Sequence, residues 1–259
     1  MGALFAQEQA PAPPPAPPVL ENHGKPIEAP FTCTNEDIRA AGLSCTEDDP
    51  CPIFLELTAV DPVGNRVVVV GNIHSEATTL YSIVLASDDE GKTWSEPHER
   101  IRAAGFDRVQ FLDLQNGWIS GEELSPLPQN PFLLTTNDGG KSWVRRPIFN
   151  ENVDSRFGLV QQVSFSDKTD GRLVVDRGLG SDDRYVLFDS NDGGETWQLR
   201  QESTKPIPLA HPAAASAAWR ARADAPSKAF IIERHTPAGW QAIASFSVRL
   251  TPCVPPTGQ

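Results

Sequence analysis

Three aspartates, Asp89, Asp138 and Asp192, stand in one repeated setting. Each lies between a hydroxyl residue, a glycine and a tryptophan at fixed spacing: Ser87, Asp89, Gly91, Trp94; Thr136, Asp138, Gly140, Trp143; Ser190, Asp192, Gly194, Trp197. An isolated carboxylate of this kind would be a candidate general acid, general base or metal ligand. Repetition argues for a different role, because an active site is needed once and a turn is needed in every repeat. An Asp side chain accepts backbone N–H groups across a tight turn, and Gly supplies a positive φ that other residues adopt at a cost. The hydroxyl ties the entry of the turn, and the Trp folds back as its apolar anchor. All twelve residues are read as structural.

Other chemistry-bearing groups are dispersed. The acidic runs Glu47-Asp48-Asp49 and Asp88-Asp89-Glu90 lack the spaced oxygen ligands of a calcium loop. The five histidines show no pair at metal-ligand spacing, and no nucleophile elbow or phosphate loop is present. No catalytic residue, metal ligand or cofactor is assigned on these grounds.

The elements that carry the three turns repeat as well. Apolar runs precede each turn, at Tyr81 to Ala86, Phe132 to Thr135 and Tyr185 to Phe188. Further upstream, Val109-Gln110-Phe111-Leu112-Asp113 and Val163-Ser164-Phe165-Ser166-Asp167 alternate with period two and lead to Gly117 and Gly171. The tryptophans are 49 residues apart (94 to 143) and then 54 (143 to 197). Four antiparallel strands in about 45 to 50 residues is the content of one propeller blade. Leu55 to Asp61 opens a first unit slightly out of register, and residues 217–243 form a fourth that keeps Trp240 but has His235 and Pro237 in place of Asp and Gly. The expected fold is all-β, a propeller of about four four-stranded blades, with five or an incomplete ring as the alternatives. The one helix expected is Asn35 to Ala41, stopped by Gly42.

The chain has 259 residues and a formal net charge of −12, which argues against nucleic acid or an anionic membrane as partner. The longest apolar run, Val67 to Val70, is far short of the ~20 residues that span a bilayer. Residues 1–6 look like the remnant of an export signal. Residues 7–30 are rich in Pro and Ala and are expected to be a disordered tether. Residues 31–52 hold three cysteines and the short helix, 53–253 the repeats, and 254–259 a tail. An even count of cysteines outside the central repeats suits two disulfides formed in an oxidising compartment. Three pairings are open to Cys33, Cys45, Cys51 and Cys253, with Cys33–Cys45 and Cys51–Cys253 preferred because the second joins the start of the fold to its end.

The three turns resemble the Asp-box repeat of bacterial neuraminidases. The second unit, with Phe111, Asp113, Gly117, Trp118 and Gly121 leading to the turn at Thr136, is similar to the repeats of photosystem II assembly/stability factor-like proteins. The likeness covers roughly Ile53 to Arg200. It implies a non-catalytic propeller that binds a protein or assembles one, commonly with seven blades, of which this chain has room for four or five. The signal remnant and the cysteines add the expectation of bacterial-type export, to the periplasm or outside the cell. The alternative the Asp boxes imply is a sialidase-like glycoside hydrolase or a glycan-binding module. Sialidase chemistry needs an arginine triad, a Tyr nucleophile with its Glu, and an Asp acid/base. The family's Arg-Ile-Pro signature is absent, and Tyr81 and Tyr185 occupy similar repeat positions, as packing residues do. Contacts to a protein or glycan partner are expected on loops. The Glu122–Pro131 and Phe149–Phe157 loops supply Glu122, Glu123, Asn130, Phe149, Asn150 and Arg156, with Trp118 as a further contact or core residue.

Overall fold

The computed structural model describes residues 18–124, 128–149, 158–178, 180, 182–209 and 218–255. The chain enters through β1 (Leu20–Glu21) and the short helix α1 (Asn35–Ala40). Thr34 caps that helix, accepting from the Asp37 N–H while the Asp37 carboxylate accepts from the Thr34 N–H in return. The first unit follows as β2 (Cys51–Val63), β3 (Arg66–His74), β4 (Thr79–Ser87) and β5 (Thr93–Trp94). The second is β6 (Ala104–Phe111), β7 (Gly117–Leu124), β8 (Pro128–Thr136) and β9 (Val144–Pro147). The third is β10 (Leu159–Phe165), β11 (Gly171–Asp176), β12 (Tyr185–Ser190) and β13 (Gln198–Ser203). Last come β14 (Trp219–Asp224), β15 (Ala229–Thr236), β16 (Gly239–Ser247) and β17 (Arg249–Cys253).

Among the described residues these strands make four larger antiparallel sheets, ordered β17-β2-β3-β4, β6-β7-β8-β9, β10-β11-β12-β13 and β14-β15-β16, and a two-stranded one, β1-β5. The last strand of the chain thus joins the first sheet, pairing Leu250 with Ile53 and Arg249 with Phe54. The fourth sheet borrows from the other terminus, since Ile27 bridges Phe246 of β16 and exchanges backbone hydrogen bonds with Ser245 and Ser247. Both termini therefore hold the first and fourth sheets together.

Two expectations are corrected here. Residues 20–30 are part of the fold and not a tether: Ile27, Ala29 and Phe31 are buried, and β1 pairs with β5. The apolar side chains at Leu20, Ile27 and Phe31 escape the Pro/Ala composition that governs the segment before them. The disulfides are Cys33–Cys253 and Cys45–Cys51, in place of the preferred pairing. Cys51 and Cys253 are register neighbours across β2 and β17, but Cys51 bonds to Cys45 across a short loop and leaves Cys253 to the incoming N-terminal segment.

The repeated turns share the hydroxyl and Asp hydrogen bonds, and Trp94 and Trp143 add an indole bond that Trp197 Nε1 does not make among the described residues. In the second, the Thr136 Oγ1 accepts from Gly140 N (2.8 Å), and Asp138 Oδ1 accepts from Lys141 N and Ser142 N (both 3.0 Å). Trp143 Nε1 donates to Gly140 O at 3.1 Å. The Ser142 hydroxyl, with backbone N–H donors behind it, holds the Asp138 carboxyl down at about 2. At Asp89 burial opposes the charge, yet bonds from Thr93, Ser87 and Lys92 outweigh it and give about 2 as well. Every turn is also hooked to the hairpin before it, through Glu90 N to Asn65 O, Gly139 N to Gln115 O and Gly193 N to Thr169 O. Gly139 and Gly193 take that position at φ 78° and 76°, and Glu90 is forced to φ 60°.

Apolar clusters fill the seams between sheets. One joins the first and fourth sheets through Ile53, Leu55, Ile73, Trp94, Ile232 and Phe246. A second joins the first and second sheets through Val68, Val70, Phe106, Phe111 and Phe132. A third joins the second and third sheets through Trp118, Leu133, Phe165, Leu173 and Phe188. Trp118 stacks on Phe165 with centroids 3.9 Å apart.

Candidate functional site

Equivalent residues of the three units show where this packing stops. Strand pairing aligns one row of residues in each sheet: Asp61-Val68-Ala86, then Gln110-Trp118-Thr135-Val144, then Ser164-Arg172-Asp189-Gln198, the last two rows 54 residues apart. In the first two sheets this row faces the next sheet and latches it. Asp61 Oδ2 accepts from Phe111 N at 2.5 Å, and Gln110 clasps both backbone groups of Phe165 at 2.8 and 2.9 Å. In the third sheet Ser164 replaces the latch and Arg172 replaces the buried Trp118. Arg172 is 64% exposed.

That flank carries a cleft of about 700 Å³, lined by Ser164, Asp170, Arg172, Asp189, Asn191 and Gln198 among others. Asp189 stands between two guanidinium groups, Arg172 Nε at 3.5 Å and Arg200 Nε at 3.7 Å. Its Oδ1 is buried and makes no hydrogen bond. Both arginines approach Asp189 through Nε, and of the two only Arg172 lines the cleft. One pleat repeat further along the same face the row turns apolar, at Val174, Tyr185 and Leu187, which are buried beneath Ile207 and Leu209. The site thus offers hydrogen-bond donors and acceptors of both charges beside an apolar strip, on a rigid four-stranded sheet. Its residues are not on the loops where contacts were expected. Their signal in the sequence was the change from Trp118 to Arg172 at equivalent repeat positions, where an apolar residue is needed if another sheet is to pack.

Inner strands carry a second polar feature. β2, β6 and β10 each bulge at an equivalent residue, Thr58, Asp107 and Gln161. Thr58 Oγ1 donates to Phe106 O at 2.8 Å, and the buried Gln161 Oε1 has no hydrogen-bond partner among the described residues. Asp107 shares a hydrogen bond with Glu122, which is 6% exposed. Burial first, and then Asp107, push the Glu122 carboxyl up to about 9, so it is protonated at neutral pH. Hydrogen-bond contact is closer than the roughly 5–9.5 Å between the paired carboxyls of glycosidases. A cavity of about 430 Å³ is lined by Arg108, Gln161, Gln162, Val163 and Pro206.

The loop residues named from sequence are placed differently. Trp118 is buried in the seam with its Nε1 donating to Gly193 O. Glu122 is internal, as above. Glu123 pairs with Arg145 and accepts from Asn130 Nδ2 at 2.8 Å. Phe149 packs on Phe188 at 5.0 Å. Asn150 and Arg156 lie outside the described residues. Glu122 to Leu124 and Pro128 to Pro131 are strand, not loop. Of the two tyrosines, Tyr81 donates to Asp37 and accepts from Arg102, which docks helix α1, and Tyr185 is buried.

An all-β chain of four antiparallel sheets, latched inner strand to inner strand, has the β-propeller fold. Solved structures similar to it include YCF48 bound to D1 peptide (18% identity, 60% of this chain and 43% of that one, TM-score 0.41). They also include YCF48 from Cyanidioschyzon merolae (21%, 58% and 38%, TM-score 0.39). A third is Zg3597, a family 117 glycoside hydrolase of Zobellia galactanivorans (8%, 84% and 73%, TM-score 0.37). The chain spans less than half the length of the two YCF48 structures. No family model matches the sequence, and no curated protein matches it. One expectation is overturned by these likenesses. The expectation of no enzymatic activity is not upheld, since the similar structures include a second glycoside-acting enzyme, the α-L-arabinofuranosidase PaAbf62A of Podospora anserina (11% identity, 83% of this chain and 72% of that one, TM-score 0.37). The fold therefore does not exclude hydrolysis, and at these identities it shows nothing more specific. Two disulfides mark an oxidising environment, and among the described residues no helix is long and apolar enough to cross a membrane.

Proposed function

We propose that this chain is an exported binding module that holds an extended segment of a partner protein against the open flank of its third sheet. The observation that carries this reading is the contrast between seams. Three flanks are closed by apolar clusters and side-chain latches, and the equivalent row of the third sheet is Ser164-Arg172-Asp189-Gln198 around an open cleft. A sheet face with alternating polar and apolar rows suits an extended chain, whose side chains alternate in the same way. The shared hydrogen-bond set of the turns supports reading them as Asp boxes, and the two disulfides support export.

The test is selection of a displayed random-peptide library on the disulfide-intact protein. Selected peptides are expected to lose at least tenfold in affinity on Arg172→Glu and to be indifferent to Lys141→Glu on a different sheet. An absence of binders, or binders unaffected by Arg172→Glu, refutes the reading. A glycan array run beside it, with binding that depends on Arg172, would move the assignment to a carbohydrate partner.

A further inference from the structure

The apolar half of the third-sheet flank is already occupied, by a piece of the chain itself. Beyond β13 the backbone turns at Ser203, whose Oγ donates to Lys205 O and accepts from Lys205 N at 2.8 and 3.0 Å. The strap Lys205-Pro206-Ile207-Pro208-Leu209 then runs back across the sheet. Ile207, 9% exposed, sits among Val174, Tyr185 and Leu187, and Leu209 packs on the same cluster. Pro208 between them is exposed. The Gln162 side chain reads the backbone of both anchors: its Nε2 donates to Ile207 O (3.2 Å) and its Oε1 accepts from Leu209 N (3.0 Å).

This is how a groove recognises a polyproline-type peptide. Two prolines deprive the strap of the N–H groups that a β-ladder would use, so it is held by side chains and one amide, not as a fifth strand. Residues i and i+2 enter apolar pockets, Gln162 takes the carbonyl of i and the N–H of i+2, and residue i+1 needs neither a donor nor a pocket. Proline fits there, and its fixed φ lowers the ordering cost of binding. The hold is slight by comparison with the other seams: four buried apolar residues with Leu209 beside them, against ten or more in each of the other three clusters. Among the described residues the strap forms no ion pair and no disulfide.

We infer that the flank is a groove for aliphatic–proline–aliphatic segments, that Lys205–Leu209 is its resident occupant, and that a partner segment of the same pattern displaces the strap. The inference rests on the flank being the binding surface. It adds the chemistry of the ligand and a built-in competitor. A partner segment gains contacts in the polar cleft one pleat repeat away, at Arg172, Asp189 and Gln198.

The experiment uses the full, disulfide-bonded chain and a fluorescein-labelled peptide, Lys-Pro-Ile-Pro-Leu, followed by polarisation. A tethered strap competes at an effective concentration near millimolar. The variant Ile207→Ser with Leu209→Ser, which empties the pockets, is therefore expected to bind the peptide at least tenfold more tightly than the unmodified chain. Adding Gln162→Ala to that variant should cost at least fivefold, and a peptide with Ser in place of Ile and Leu should not bind. If the emptied variant keeps its thermal transition and binds the two peptides equally, the inference is wrong. If it does not fold, hydrogen exchange on the unmodified chain decides. The Leu209 amide is expected to exchange at least a hundredfold faster than the Val174 amide, and faster still with millimolar peptide. Equal protection of the two would overturn the inference. Displayed peptides that need Arg172, together with failure of the strap peptide, would leave the flank as the binding surface and remove the strap from its account. Failure of both removes both.

Discussion

The two disulfides should differ sharply in what they contribute, and the difference follows from which residues they join. Cys33–Cys253 closes a loop with a sequence separation of 220, and Cys45–Cys51 one with a separation of 6. Loop-closure entropy grows as the logarithm of loop length, so the chain-entropy model assigns about 5 kcal/mol to the outer bond and about 2 kcal/mol to the inner. Position reinforces this ranking. Cys253 is fully buried in the cluster that joins the first and fourth sheets, where β17 meets β2 and the N-terminal segment meets β16. We expect Cys33→Ser with Cys253→Ser to lower the urea midpoint by roughly 2 M, taking a slope of about 2.5 kcal/mol per M. Cys45→Ser with Cys51→Ser should lower it by about 1 M or less. Matched far-UV and near-UV spectra before unfolding would show that both variants start from the same fold. Titration with dithiothreitol should open the inner bond first, because both its sulfurs belong to partly exposed residues, whereas the outer bond joins partly exposed Cys33 to fully buried Cys253. Equal losses for the two pairs, or a larger loss for the inner pair, would refute both the entropic ranking and the role of the outer bond as the clasp of the fold.

Burial pushes the Asp61 carboxyl up to about 7 against the pull of the Phe111 N–H. An acid whose folded value is raised keeps its proton while the unfolded chain has lost it, so stability declines as pH rises from about 4 to about 7. The full effect is about 4 kcal/mol, and Asp61→Asn should flatten the melting temperature across that window. The opposite sign holds for Asp89 and Asp138, which should withdraw stability as pH falls from about 4 to about 2, in a separate acid limb of the same curve. Glu90→Gly should stabilise by up to about 1 kcal/mol in equilibrium unfolding, because its φ of 60° is where Gly139 and Gly193 stand in the other turns. Gly171→Ala should destabilise by about 1–3 kcal/mol, since its new Cβ would lie 2.4 Å from Phe165 Cε1, in the ring that stacks on Trp118. A thermal scan that leaves Gly171→Ala unchanged would show that the ring can give way.

Much of the fold was legible because the repeated turns are local. Thr136, Asp138, Gly140 and Trp143 bond to one another within eight residues, so their types and spacing carry the geometry without reference to the rest of the chain. The candidate site was less legible. Loops were the natural place to look, but Glu122 proved to be internal and Trp118 to be part of a seam. Charge and aromatic type do not say which face of a strand meets another sheet. Comparing Trp118 with Arg172 across the repeats is the reading that would have pointed to the flank.

What the sequence determined by itself was the unit: strand periodicity, an Asp-bearing turn, and enough repeats for about four sheets, all set by contacts between residues near in the chain. Tertiary structure alone decided how the units close and where they stop. Cys33 finds Cys253 because Ile27 lies beside β16 and β17 returns to β2, and Asp61 and Glu122 hold protons because sheets bury them. Arg172 and Asp189 face an open cleft because, among the described residues, no sheet latches to Ser164. Those outcomes depend on contacts across tens to hundreds of residues, whose cost in chain entropy only the assembled core repays.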